Sequence, residues 1–181
     1  MSDQEFEAGL EHIRRSPTDK GVVKLIVRRP EVGARETLQE GKLDLVEGLV
    51  GDSWKNRGST RTPDGSPNPN SQITIMNARV IQLLAQDEDR WQLAGDQLYI
   101  DLDLSTANLP PWTRLAVGSA VIQITDSPHT GCAKFASRFG KQAITFVNSD
   151  LGKQLRLRGV NAKVLQPGVI RVGDVATRIT G

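Results

Sequence analysis

The sequence predicts a mainly β, mostly antiparallel fold, a barrel or sandwich with short helices at its rim. Three observations carry this. About nine short runs have strand character, turn residues arrive between them at close intervals, and no regular strand–helix–strand alternation appears. At 181 residues the chain is long enough for one sizeable core, and with aromatics at 4% aliphatic side chains must build most of it.

Taken in order, Ser2 and Glu5 form a candidate capping box, and Phe6, Leu10 and Ile13 repeat at helical spacing. This predicts an N-terminal helical extension within residues 1–20, ahead of the main domain at 21–181. Gly21–Arg28 is β-branched, bounded by Gly21 and Pro30, and reads as the first strand. Residues 31–41 are polar and irregular, and Lys42–Val50 suits strand or short helix. Gly51–Ser71 is the longest loop, and its early part, through Arg57, is a candidate face for an anionic ligand. Gln72–Met76 reads as a strand, and Asn77 as the cap of a helix to about Gln86. Gln97–Asp101 reads as a strand, and Arg114–Val117 with Ala120–Thr125 as a hairpin around Gly118-Ser119. Lys141–Val147 suits helix by spacing and strand by its Ile144–Val147 residues and leans to helix, and Asn148–Gly152 reads as a loop. Leu155–Arg158 and Val160–Leu165 look like strands. Pro167-Gly168 suits a type II turn that would fold Val169–Val172 back as a hairpin, and Val175–Ile179 ends the chain as a strand.

Ser127–Gly140 (S-P-H-T-G-C-A-K-F-A-S-R-F-G) holds Cys132, the single cysteine. Thr130 is a candidate N-cap, and Cys132, Phe135, Ala136 and Phe139 fall on one helical face with Gly140 as the stop. Free amides in the first turn, with Lys134 and Arg138 nearby, favour thiolate over thiol, whereas apolar burial favours the neutral form. The plainer reading makes Cys132 a small buried hydrophobe.

Composition excludes several classes. The formal net charge of +2 is too small to argue for nucleic acid, and no apolar run reaches the length of a membrane span. One cysteine rules out an internal disulfide framework, and the two histidines, His12 and His129, lie far apart in sequence. The N-terminus lacks a signal-peptide pattern, so the expected location is the cytoplasm, where a thiol stays reduced. There is no G-x-S-x-G elbow, Walker A loop or H-E-x-x-H motif. His129, three residues before Cys132, makes a Cys/His nucleophile pair conceivable, although nearness in sequence does not make one.

The order of several short stretches resembles the MOSC domain family, named for the C-terminal domain of molybdenum cofactor sulfurases. These are the first strand with Arg29-Pro30, Gly48-Leu49-Val50-Gly51-Asp52, Gly95-Asp96-Gln97-Leu98, the hairpin Leu115–Ile124 leading to Pro128–Cys132, and Arg156–Asp174. The resemblance implies a MOSC-type closed or partly closed β-barrel, mostly antiparallel, with short peripheral helices. It implies that Cys132 carries sulfur as a persulfide or ligates molybdenum. Gly51, Asp52, Asp96 and Gln97 match pocket-lining stretches, and Arg158-Gly159 the late arginine–glycine pair. The chain departs from the pattern at Trp54-Lys55, where many members carry His or Arg-rich residues, and at Asp96-Gln97, usually Glu-Asn. No pyridoxal-phosphate domain is expected in this chain.

Two mechanisms fit the resemblance. In one, Cys132 takes sulfur from a cysteine desulfurase or another donor, a sulfurtransferase-like role. In the other, its thiolate ligates a molybdenum cofactor (molybdopterin) in an oxidoreductase. Lys55, Arg57, Lys134, Arg138 and Arg158 are candidates for the cofactor phosphate or another anion, with solvated surface charge as the plain alternative. The rival class is a non-catalytic binding module for an anionic small molecule or a partner protein, with Cys132 inert. Nucleic acid and membrane are not expected partners. A thiol hydrolase using His129 as base is the least favoured reading.

Overall fold

The computed structural model describes residues 1–180. Its strands are β1 (Gly21–Arg28), β2 (Glu36–Leu38), β3 (Glu40–Asp44), β4 (Gly48–Leu49), β5 (Ile73–Asn77), β6 (Leu98–Asp101), β7 (Arg114–Val117), β8 (Ala120–Ile124), β9 (Val160–Gln166), β10 (Gly168–Arg171) and β11 (Val175–Ile179). Its α-helices are α1 (Asp3–Arg14), α2 (Ala78–Ala85), α3 (Ala133–Phe139), α4 (Lys141–Asn148) and α5 (Asp150–Gln154).

Seven strands close a barrel in the order β1-β11-β7-β8-β9-β5-β6 and back to β1. One edge of β1 pairs with β6. The other is divided, with Gly21 and Val22 on β11 and Ile26–Arg28 on β2. All neighbours are antiparallel except β5 and β6. A parallel pair needs a long crossover, and α2 with the 3-10 helix Glu88–Ala94 supplies it. The predicted mainly β, mostly antiparallel barrel with peripheral helices is therefore what forms. A second sheet, β10-β3-β4, lies beside it.

The barrel wall separates two apolar cores. Ile75, Leu98, Ile100, Ile122 and Ile124 fill the inside. Met76, Tyr99, Val27, Ile81, Trp91, Phe135 and Val147 pack between the wall and the helices. β5 is buried at every position, which is why I-T-I-M-N shows no polar alternation. α1 is part of this outer layer: the Phe6 and Phe146 rings stand 5.0 Å apart, Ile13 is buried, and Arg79 donates to the His12 carbonyl. Among the described residues no helix is long and apolar enough to cross a membrane.

Several expectations need correction. Lys42–Val50 is neither one strand nor a helix but the hairpin β3–β4 with its turn. Asn148–Gly152 and Leu155–Arg158 are not loop and strand. Ser149 caps α5, accepting from the Gly152 amide at 2.9 Å, and the chain then turns without pairing. β10 does not fold back on β9, because both edges of β9 are taken by β5 and β8; β10 crosses to β3. α3 starts later than expected, with Cys132 rather than Thr130 at the N-cap. The cause is Asn148, whose side chain accepts from the Gly131 amide at 2.9 Å and donates to its carbonyl at 3.1 Å, holding that residue outside the helix.

Candidate functional site

The site is organised by the end of the 3-10 helix Glu88–Ala94. Asp87 caps its start, and Gly95, at φ +90°, turns the chain out of its end. Three successive carbonyls left free there each take one guanidinium from a different segment. Leu93 accepts from Arg138 at 2.8 Å, Ala94 from Arg158 at 2.9 Å, and Gly95 from Arg29 at 3.1 Å. A fourth arginine lies close by, with Arg35 Nη2 3.4 Å from where a Gly95 Cβ would stand, an ordinary contact distance.

Two of these arginines are neutralised. Asp52, fully buried, accepts from Arg29 N, Nε and Nη2 at 2.8–2.9 Å, from the Trp54 amide at 3.0 Å and from Gln97 Nε2 at 3.2 Å. Gln97 in turn accepts from the Thr74 amide and hydroxyl. Asp96, also fully buried, accepts from Arg158 Nη1 at 2.5 Å and pairs with His129 Nε2 at 2.7 Å. Burial pushes both carboxyls up, but the arginines and, at Asp96, His129 outweigh it and hold both below the ordinary carboxylate range.

The other guanidiniums lack such partners. Among the described residues Arg35, Arg57 and Arg138 make no ion pair within 4 Å. Arg57 donates to Ser53 Oγ, and Arg35 to the Ala34 carbonyl, with its buried Nε unpartnered. Burial, then repulsion from Arg138, Arg29 and Arg57, draws Arg35 below its ordinary value. The arrangement is a cationic basin in which Arg35, Arg57 and Arg138 have no carboxylate partner among the described residues.

Cys132 is exposed. Partial burial pushes its thiol up, but the amides of Phe135 and Lys134, with the charges of Arg158 and Lys134, turn the net shift downward. Arg158 also lies over the Phe135 ring, 4.8 Å from its centroid, which ties the start of α3 to the basin.

Two cavities share Pro128, His129 and Asn161 as a common wall. The larger, about 460 Å³, carries Lys153, Arg156 and Arg158; the smaller, about 320 Å³, carries Arg29, Arg57 and Arg61. Cys132 lines neither, but stands two residues beyond Thr130, which lines the larger.

The structure thus gathers Arg57, Asp96, Arg138 and Arg158 around the basin, with Cys132 under the charges of Arg158 and Lys134. Asp52 and Gln97 lie beneath it and direct their polar atoms to protein partners. Lys55 stands apart, 3.6 Å from Glu47, in a separate hollow of about 220 Å³. Sequence reasoning missed Arg29 and Arg35 as basin residues and took His129 only as a partner for Cys132. Arg29-Pro30 after a strand was the one visible signal; nothing local marks Arg35. Among the described residues no three His, Cys, Asp or Glu side chains gather as a metal cage.

A family model for the MOSC domain matches residues 68–177, well over half of the chain, and the protein belongs to that family. The match covers β5 to the middle of β11, and the strands before it complete the barrel. Among solved structures, the YUAD protein from Bacillus subtilis is similar at 16% identity and TM-score 0.60, over 90% of this chain and 97% of that one. YiiM from Escherichia coli is similar at 18% identity and TM-score 0.55, over 88% and 70%. YiiM from Geobacillus stearothermophilus aligns at 14% identity and TM-score 0.53, over 90% and 74%. At these identities the likeness is one of fold. No curated protein matches the chain.

Proposed function

We propose that this MOSC domain binds a molybdenum–pterin cofactor, with the Cys132 thiolate as its soft ligand and the unpaired guanidiniums of Arg35, Arg57 and Arg138 holding its phosphate. The observation that carries this reading is an exposed thiol, lowered in pKa in part by the charge of Arg158, at the start of the helix whose Arg138 belongs to a set of arginines without carboxylate partners among the described residues. Soft thiolate suits molybdenum, and planar guanidinium suits phosphate. The donor set therefore fits the group. When bound, the cofactor would supply oxygen-atom or electron transfer. The chain's own part is to present one thiolate, to neutralise the anion, and to keep Arg29 and Arg158 fixed through Asp52 and Asp96.

A second reading follows from the exposure of Cys132. A sulfur carrier must be reached by a protein-sized donor such as a cysteine desulfurase, and a thiol on an open surface meets that need. Elemental analysis of the purified protein, with cyanolysis for sulfane sulfur, tests both. Stoichiometric molybdenum that is lost in Cys132→Ser and depleted in Arg35→Ala supports the cofactor reading. Sulfane sulfur lost in Cys132→Ser, without molybdenum, supports the carrier. A native thiol that reacts with iodoacetamide only after unfolding, with neither element present, would leave a non-catalytic anion-binding module.

A further inference from the structure

His129, partly buried and paired with the buried Asp96, is a base that the proposed function leaves unused. Arg158, bonded to the second oxygen of Asp96, keeps that carboxyl ionised. Asp96 can therefore only accept, and His129 Nε2 carries the hydrogen between them. The lone pair is then on Nδ1, which makes no hydrogen bond to the protein among the described residues and is not sealed from solvent. Gly159, at φ +123°, lets the ring lie close, since a Cβ there would stand 3.0 Å from His129 Cδ2, and Asn161 Nδ2 holds the backbone leading to His129 through the Ser127 and Pro128 carbonyls at 3.0 and 3.2 Å.

We infer that His129 is the proton-accepting residue of the smaller cavity, acting on a weakly acidic O–H or N–H of a small polar molecule held there. The X–H bond breaks, an Nδ1–H bond forms, and the electron pair stays on X. The imidazolium faces Asp96, and the new anion faces Arg61 in the same cavity, whose lining contains no carboxylate. The charged groups acting on the ring are Arg158, Asp96 and Arg29. Burial and then Arg158 push its pKa down, against Asp96, so the ring is a neutral acceptor at neutral pH.

This inference does not depend on what Cys132 carries, and its test removes the thiol. In Cys132→Ser, His12→Gln protein, His129 is the only imidazole. Hydrolysis of p-nitrophenyl acetate should follow one deprotonation with a midpoint below the free histidine value of about 6.5. Adding His129→Gln should lower the rate about 10²-fold, and a change under about threefold overturns the inference. Asp96→Asn should move the midpoint lower still, and if that variant does not fold the His129→Gln comparison decides. Acetylated His129 accumulating in mass spectra would overturn proton transfer in favour of nucleophilic attack.

Discussion

Asp52 has its carboxylate filled by protein donors: three from Arg29, one from the Trp54 amide and one from Gln97. Removing it would leave a guanidinium only 10% exposed without its counter-ion. Asp52→Ala should therefore cost about 3–5 kcal/mol, read from the urea unfolding midpoint, and a loss below about 1 kcal/mol would contradict this account. Arg57→Ala, which loses only bonds to Ser53 Oγ, should cost far less. The family resemblance marked the Gly51-Asp52 stretch as pocket-lining. Its partner was not legible, because Arg29 lies 23 residues earlier and no spacing rule links the two. His129 illustrates the same limit. Its sequence neighbour Cys132 drew attention, while its bonded partner Asp96 is 33 residues away.

Many strands and helices were legible where their own residues decide them, although the locally capped α5 was not. Asn77 caps α2 as expected, accepting from the Arg79 amide at 2.9 Å, and Gly118-Ser119 turns the β7–β8 hairpin. They were illegible where a tertiary partner decides. β10 is assigned by the occupancy of both β9 edges, and the start of α3 by the Asn148 side chain. The hairpin turn is also a joint between the two sheets. The Ser119 amide donates to the Val169 carbonyl at 3.1 Å, and the Val169 amide donates to Ser119 Oγ at 2.8 Å. A Cβ at Gly118, φ +57°, would overlap that Val169 carbonyl, whereas at Gly33, φ +85°, it would meet nothing within 4 Å. Both Gly→Ala changes carry the left-handed backbone cost of roughly 1–2 kcal/mol. Gly118→Ala should add about 1–3 kcal/mol of overlap. Equal losses in denaturant melts would show that the turn does not press on the second sheet.

The whole molecule is held at one place by segments far apart in sequence: Arg29 after β1, Asp52, the Gly95–Gln97 turn, His129 and Arg158. Each is buried or nearly so, and each is paired, which makes the fold sensitive to acid. The folded pKa of His129 lies below its ordinary value, and those of Asp52 and Asp96 lie below theirs. In every case the unfolded chain binds the proton more readily, so stability rises with pH and is lost as pH falls. The losses separate by residue type. His129 acts first, as pH drops below about 6.5, and the carboxylates follow below about 4. Urea midpoints measured across this range should therefore fall in two stages. His129→Gln should flatten the first stage and leave the second, because Gln does not titrate while Arg158 still holds Asp96. If the first stage persists unchanged in His129→Gln, the imidazole is not held neutral by the fold, and the network around Asp96 does not set the acid response.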